Sequence, residues 1–338
     1  MPETVYRLDQ IDYDLPGKRH YQLAFHLDGT WGYSLVPLTV MNGLKGPNPN
    51  GVLAVGGTHG NEWEGPVAVK RLCQDLDPAQ LSGRVILMPQ LSESACNANT
   101  RVSPLDGVNM NRAFPGNPRG TISYRIANFV KTRIFPQVRV VLDIHSGGNE
   151  GIFPFVSSYH PVPDEVQRAE MAAVARLFDT PFVMIYSSEM ASGLLTDEAE
   201  AEGKITIGSE FGWGESVNRR GTAHAYEGIK NVLRHYCLLD EPVVRIAPER
   251  NTPPRFIQAA HLDNYVPCPR DGIWEPLVDP GADVCHGELI GRMHDFSDHS
   301  APPLEVRATR TGVVIMMHFP AVSKKGQTLV AIGEEVEL

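Results

Sequence analysis

From residue 52 to about residue 240, short apolar runs alternate with longer amphipathic stretches, and this alternation limits the possible fold more than any other feature. The apolar runs are 52-VLAVG-56, 84-RVILMPQ-90, 138-VRVVLDIH-145, 182-FVMIY-186 and 204-KITIGSEF-211. Each has the length and composition of a strand buried on both faces. Between them a helical period is visible over 66–76, 122–135, 164–178, 194–203 and 222–239. In the helix over 164–178, Ala169, Ala172, Ala173 and Leu177 are expected to share one face. Strands alternating with helices imply an α/β architecture with a largely parallel sheet covered on both sides.

The pattern changes near residue 240. The stretch 240-DEPVVRIAPERNTPPR-255 is rich in Pro and charge and reads as a linker. Beyond it come strand-like pieces, 304-LEVRA-308, 312-GVVIMMHF-319 and 328-TLVAIG-333, separated by turn signals such as 279-DPGAD-283. The expected division is a domain over 1–247 and a small all-β domain over 248–338.

Composition excludes some classes of partner. A net charge of −10 argues against nucleic acid or an anionic membrane surface. No apolar run approaches the roughly 20 residues needed to span a bilayer, and the N-terminus lacks the apolar core of a signal peptide. The five cysteines are scattered, with no CxxC pair, which fits a reducing cytoplasm and not a disulfide scaffold.

Chemistry concentrates where strands end. In 56-GGTHGNEWEG-65, His59 and Glu62 follow one apolar strand and precede a helix. His145 ends another strand, in 140-VVLDIH-145. Open α/β sheets bind ligands at the carboxyl ends of their strands, so the three residues can face one crevice. Two imidazoles and one carboxylate, with a fourth position left to water, form a catalytic zinc set. A plainer reading is also open: an acid at a helix start, favoured by the dipole, and two hydrogen-bonded histidines. Asp143 shares the face of His145 and either supports it or is a buried structural acid. The loop 107-GVNMNRAFPG-116 adds Asn111 and Arg112, with Arg101 upstream; two arginines and an amide there suit an anion clamp or a solvated loop. Glu210 ends the strand in 205-ITIGSEFGWGE-215, placed either as a general base or as an ordinary strand-end charge.

The order HGNE, R…NMNRAFPG, LDIHSGG, SEFG resembles the succinylglutamate desuccinylase/aspartoacylase family, a branch of the zinc carboxypeptidase superfamily. The resemblance spans roughly residues 50–240 and includes a following β domain. It implies a carboxypeptidase-like mixed, mostly parallel sheet flanked by helices. It also implies one zinc per chain held by His59, Glu62 and His145, with Glu210 as general base and proton shuttle. Arg101 matches the residue that polarises the scissile carbonyl, and Asn111 with Arg112 the pair that grips a substrate carboxylate. Asn109 departs from the Asp that many relatives carry. Relatives also bring a Tyr from the β domain; Tyr265 is the nearest candidate here.

The implied activity is hydrolysis of the amide bond of a small N-acyl amino acid. Within the family, THGNEWEGP and YEGIKNVLRH are most similar to deacetylases of ectoine degradation, which convert Nα-acetyl-L-2,4-diaminobutyrate to acetate and 2,4-diaminobutyrate. A substrate with a side-chain ammonium calls for an acid, for which Glu150 and Glu215 stand near suitable strand ends. Alternatives are an aspartoacylase or succinylglutamate desuccinylase, for which Arg219 and Arg220 would supply added positive charge, a carboxypeptidase acting on peptides, or a non-catalytic metal- or ligand-binding protein. A homodimer is a family-level expectation. Two further stretches stand out: 294-HDFSDH-299 reads as a metal loop or a solvated turn, and 305–333 as a lipoyl-like β unit without its modifiable Lys, hence a cover for the active site.

Overall fold

The computed structural model describes residues 2–187 and 192–337. A short strand β1 (Glu3–Val5) lies parallel to the first arm of a hairpin formed by β2 (Gly17–His26) and β3 (Tyr33–Asn42). The alternating part follows: β4 (Val52–Gly56), α1 (Glu64–Asp75), β5 (Arg84–Met88), α2 (Glu93–Ala98), α3 (Ile122–Phe129) and β6 (Val140–Ile144). Next come β7 (Gly151–Ile152), β8 (Val156–Tyr159), α4 (Glu165–Ala175), β9 (Phe182–Tyr186), α5 (Leu195–Ala201), β10 (Ile205–Glu210) and α6 (Arg219–His235). Strand order through the sheet is β1-β2-β3-β5-β4-β6-β10-β8-β9. The central strands β5, β4, β6 and β10 are all parallel, and β8 enters antiparallel to β10.

Alternation along the central strands produces two cores. Val52 and Ala54 face a cluster with Leu72, Phe178, Ile229 and Val232, under α1, α4 and α6. Leu53 and Val55 face the other side, with Leu38, Ile126, Phe135 and Leu195. This is the sandwich that buried apolar runs demand. Helix α4 turns a different face inward from the one expected. Met171, Val174 and Ala175 are buried, while Ala169 and Ala173 are exposed. The larger Met171 and Val174 side chains remove more apolar area from water than alanines can, and they set the rotation.

The remaining chain is entirely β apart from a turn of 3-10 helix at Leu262–Asn264. It forms β11 (Arg255–Ala259), β12 (Tyr265–Pro267), β13 (Gly272–Pro276), β14 (Asp283–Val284), β15 (Leu289–His294), β16 (Leu304–Arg307), β17 (Gly312–His318), β18 (Val322–Ser323) and β19 (Thr328–Glu335). A separate antiparallel sheet runs β16-β15-β13-β18. The main sheet, however, continues beyond the linker: β11 pairs in parallel with β9, and β19 and β17 follow it. No helix among the described residues is long and apolar enough to cross a membrane. All five cysteines are free thiols.

Candidate active site and metal centre

Strand register brings the distant motifs together. β4 and β6 are parallel neighbours with Val55 opposite Asp143 and Gly56 opposite Ile144, so both strands release their chains at the same edge. β10 lies on the far side of β6 with Gly208 opposite Asp143, which carries Glu210 to that edge too. The turn after β4 packs on α2: a Cβ on Gly60 would fall 2.0 Å from the Ala95 carbonyl carbon, so only glycine fits there. That close approach folds the turn back and buries His59 and Glu62, leaving them 4% and 3% exposed.

His59 Nδ1 lies 2.7 Å from Glu62 Oε1, and His145 Nδ1 lies 2.8 Å from Glu62 Oε2. The outer nitrogens fix the tautomers. His59 Nε2 is 3.0 Å from Asn109 Oδ1, an oxygen that also accepts the Asn111 N–H. His145 Nε2 is 2.9 Å from Asp143 Oδ2, while Asp143 Oδ1 accepts from Thr58 Oγ1 at 2.6 Å. Amide and carboxylate oxygens accept, so each Nε2 carries a hydrogen, and a neutral imidazole would turn its Nδ1 lone pair to Glu62. Facing that carboxylate, the two Nδ1 atoms call for positive charge, from protons on the rings or from a metal cation. The residues therefore fit a metal ion, and their ligating atoms lie within 4.8 Å of one another.

Charge follows from this packing. Burial works against ionisation of Glu62, but His59 and His145 outweigh it and hold its carboxyl well below the usual range. Burial likewise opposes a charge on His145, yet Asp143 and Glu62 raise its proton affinity well above that of a free imidazole. Glu210 is pushed up to about 8, first by burial and then by the Glu62 charge, with His145 and Arg101 pulling the other way. Its Oε2 is shielded from solvent and has no hydrogen-bond partner among the described residues.

The two arginines differ. Arg101 Nη1 is 3.2 Å from Glu62 Oε1, and its Nε is 3.4 Å from Glu150 Oε2. Arg112 has no carboxylate within ion-pair distance among the described residues; the residue is exposed overall, and it lines the cavity. Burial, and then the like charge of Arg101, lower its pKa. Beside it, Asn111 Oδ1 accepts the Leu195 N–H at 2.9 Å, which fixes the amide orientation. The Asn111 nitrogen lies 3.2 Å from His145 Nε2. Both are donors, so the amide keeps its hydrogens for the cavity.

Six of the seven residues named from sequence line one cavity of about 200 Å³, and the seventh, Glu62, lines an adjoining lobe of about 150 Å³. Sequence reasoning missed other walls of the first lobe, among them Ser158, Met184, Tyr186 and Thr196, and gave Asn109 no role as the acceptor for His59. It also missed a buried group behind Tyr186, His160 with Glu200 and Asp197, where His160 Nδ1 is 2.8 Å from Glu200 Oε2. Several candidates lie elsewhere. Tyr265 bonds the Ala259 carbonyl and Arg220 pairs with Glu249; neither, nor Arg219, lines either lobe. Glu215 accepts from Asn61 and Asn99. His294 bonds Glu275, while Asp295 and Asp298 close serine turns, so 294–299 assembles no metal group.

Residues 49–236 match the model of the succinylglutamate desuccinylase/aspartoacylase catalytic domain, more than half of the chain. The chain belongs to the succinylglutamate desuccinylase/aspartoacylase family. Among its relatives, the N-alpha-acetyl-L-2,4-diaminobutyric acid deacetylase of Halomonas elongata is 34% identical over 331 residues, covering 97% of this chain and 94% of that protein. A succinylglutamate desuccinylase/aspartoacylase from Rhodobacter sphaeroides superposes with a TM-score of 0.91 at 31% identity, over 97% of this chain and 98% of that one. The product-bound ectoine utilization protein EutE (DoeB) from Ruegeria pomeroyi superposes with a TM-score of 0.88 at 31% identity, over 96% and 98% of the two chains. This family member thus shares its whole architecture, β region included, with those structures.

Proposed function

We propose that this family member is a zinc-dependent deacylase that hydrolyses Nα-acetyl-L-2,4-diaminobutyrate to acetate and 2,4-diaminobutyrate, in the cytoplasmic breakdown of ectoine. The observation that carries the reading is Arg112: a guanidinium that has no carboxylate partner among the described residues and lines the same cavity as the triad and Glu210. Such a group suits a bidentate bond to an α-carboxylate, and Asn111 adds a directed donor. The names of the relatives in Halomonas and Ruegeria, a diaminobutyric acid deacetylase and an ectoine utilization protein, support this choice of substrate and pathway.

His59, Glu62 and His145 would hold the ion, a donor set that suits zinc. Zinc bound there supplies Lewis acidity, which polarises the scissile carbonyl and lowers the pKa of water. Arg112 and Asn111 anchor the substrate carboxylate and so fix where the amide lies. Arg101 donates to the carbonyl oxygen as negative charge grows on it. Glu210 accepts a proton from the attacking water and returns it to the amide nitrogen as the C–N bond breaks. The free amine and acetate leave.

The side-chain ammonium calls for negative charge, and the far end of the larger lobe offers it. Burial is the main cause that pushes the Tyr186 phenol far up, and the nearby Glu200, Asp143, Glu210 and Asp197 carboxyls add to it. Among the described residues, Arg101 and Arg112 are the only cationic side chains lining the two lobes, apart from the histidines. An aspartoacylase or desuccinylase substrate brings a second carboxylate, and no further arginine awaits it there.

Amine release from Nα-acetyl-2,4-diaminobutyrate, N-acetylaspartate, N-succinylglutamate and an unblocked dipeptide, with and without a chelator, tests the reading. The expected result is chelator-sensitive turnover of the diaminobutyrate compound. Preference for either acidic substrate would overturn the assignment of the larger lobe, and no turnover by zinc-loaded protein would favour a binding role.

A further inference from the structure

The strand that closes the cavity from the C-terminal region carries a bulge, and the bulge decides which side chain faces the triad. Along β17 the register with β19 runs Val313 to Gly333 and Val314 to Ile332, then jumps to Met316 with Ala331 and Met317 with Val330. Ile315 is the additional residue. Regular alternation would send Met316 to the same side as Val314. Instead, Val314 and Met317 enter the C-terminal core with Trp274 and Ile290. Val313, Ile315 and Met316 all face the opposite side, toward Val156, Phe182 and Phe153. A bulge re-aims side chains in this way, and here it turns a flexible thioether toward the catalytic residues.

Backbone pairing holds that side chain in place. Met317 pairs with Ile152 and His318 with Gly151, so β17 is laid directly on β7 in the loop after His145. The Phe319 N–H donates to the Glu150 carbonyl at 3.0 Å. A Cβ on Gly151 would stand 3.4 Å from Met316 Cγ and 3.0 Å from the Phe153 ring. The turn beneath is equally tight: a Cβ on Gly147 would fall 1.8 Å from the Gly151 oxygen. These groups wall the smaller lobe of about 150 Å³, which shares His59, Arg101, Phe153 and Glu210 with the larger one.

We propose that the smaller lobe is the acyl subsite and that Met316 sets the length of acyl chain it accepts, closing it just beyond an acetyl methyl. The assignment rests on the function proposed above. The substrate carboxylate belongs to the amine half of the molecule; with that half at Arg112, the acyl half extends past the triad into the lobe under Met316. Glu150, on the same wall, pairs with Arg101 and disfavours an acyl chain that ends in a carboxylate.

The test uses zinc-loaded protein and four Nα-acyl-2,4-diaminobutyrates: formyl, acetyl, propanoyl and butanoyl. Met316→Ala should raise the butanoyl-to-acetyl ratio of kcat/KM at least about tenfold, since methylene-sized changes in an apolar pocket discriminate by roughly 10- to 200-fold. Met316→Leu, close in volume, should keep the wild-type ratio. Should Met316→Ala not fold by thermal melting, Met316→Val is read in the same way. A folded, acetyl-active variant whose ratio rises less than about tenfold overturns the proposal alone. Wild-type protein inert to all four compounds overturns the proposed function, and this proposal with it.

Discussion

Two hydrogen bonds orient the imidazoles of the triad, and they come from unlike groups: a carboxylate for His145 and a neutral amide for His59. Removing the amide oxygen frees the His59 ring to rotate and to carry its hydrogen on the inward nitrogen. Asn109→Ala should therefore weaken zinc binding about 10- to 100-fold, while Asn109→Asp should hold zinc at least as well as wild type. Competition against a chromophoric chelator reads both; equal affinities across the three proteins would show that Asn109 does not orient the ligand. Arg112 makes a separate prediction. Arg112→Ala should raise KM about 100-fold, in line with a lost charge-assisted bond of about 1.5–3 kcal/mol, and Arg112→Lys should recover only part of it. An unchanged KM would remove the carboxylate anchor. At this scale the sequence was readable where a charged residue ends an apolar strand, as at His145 and Glu210, because few structural reasons put one there. Ser158, Thr196 and Met316 were not readable. A hydroxyl or a thioether on a strand or helix start looks the same whether it lines a cavity or fills a core.

Elements with long apolar runs appear where the sequence placed them: β4 at Val52–Gly56 and β9 at Phe182–Tyr186 match the expected bounds. β8 was missed, since VSSY carries two serines and is held by pairing on both sides, with β10 and β9. The helix over 122–135 is present as α3 but loosens into a π turn at Val130–Ile134 and a 3-10 turn at Phe135–Gln137, a change that apolar spacing does not encode. The linker after α6 is pinned more firmly than its composition suggests. Asp179 accepts from the N–H groups of Ile246 and Ala247 at 2.8 and 2.9 Å and pairs with Arg245 and Arg250. Burial opposes ionisation of Asp179, but these donors prevail and hold its pKa below the usual carboxylate value. A depressed folded pKa means the unfolded chain binds the proton first. The stability Asp179 contributes is thus full above its unfolded pKa of about 3.9 and is lost as pH falls through the lower folded value. Asp179→Asn should cost about 2 kcal/mol at neutral pH and flatten the acid limb of the stability profile. Urea unfolding at pH 7 and pH 3 checks it; an equal loss at both would contradict the electrostatic account.

On the scale of the whole molecule, the composition change near residue 240 marked a real change from α/β to β structure. It did not show that β11 returns to the edge of the main sheet beside β9, because strand partners over such separations leave no trace in local pattern. A chain ending at residue 247 would expose the β9 edge and lose Met316 from the cavity. It should aggregate, as unpaired edges of apolar strands do, and size-exclusion chromatography would show this; a monodisperse, folded fragment would mean that the β region is dispensable. Three strand ends are thus proposed to place a metal triad and a carboxyl base in one cavity, with an anion anchor from the 107–116 loop. The most direct test is to measure zinc content and Nα-acetyl-2,4-diaminobutyrate hydrolysis side by side in wild type and Glu210→Gln. One zinc in each protein, with turnover reduced about 100- to 10,000-fold in the variant, is the predicted result. Undiminished turnover in Glu210→Gln, or turnover by wild type stripped of metal, would contradict it.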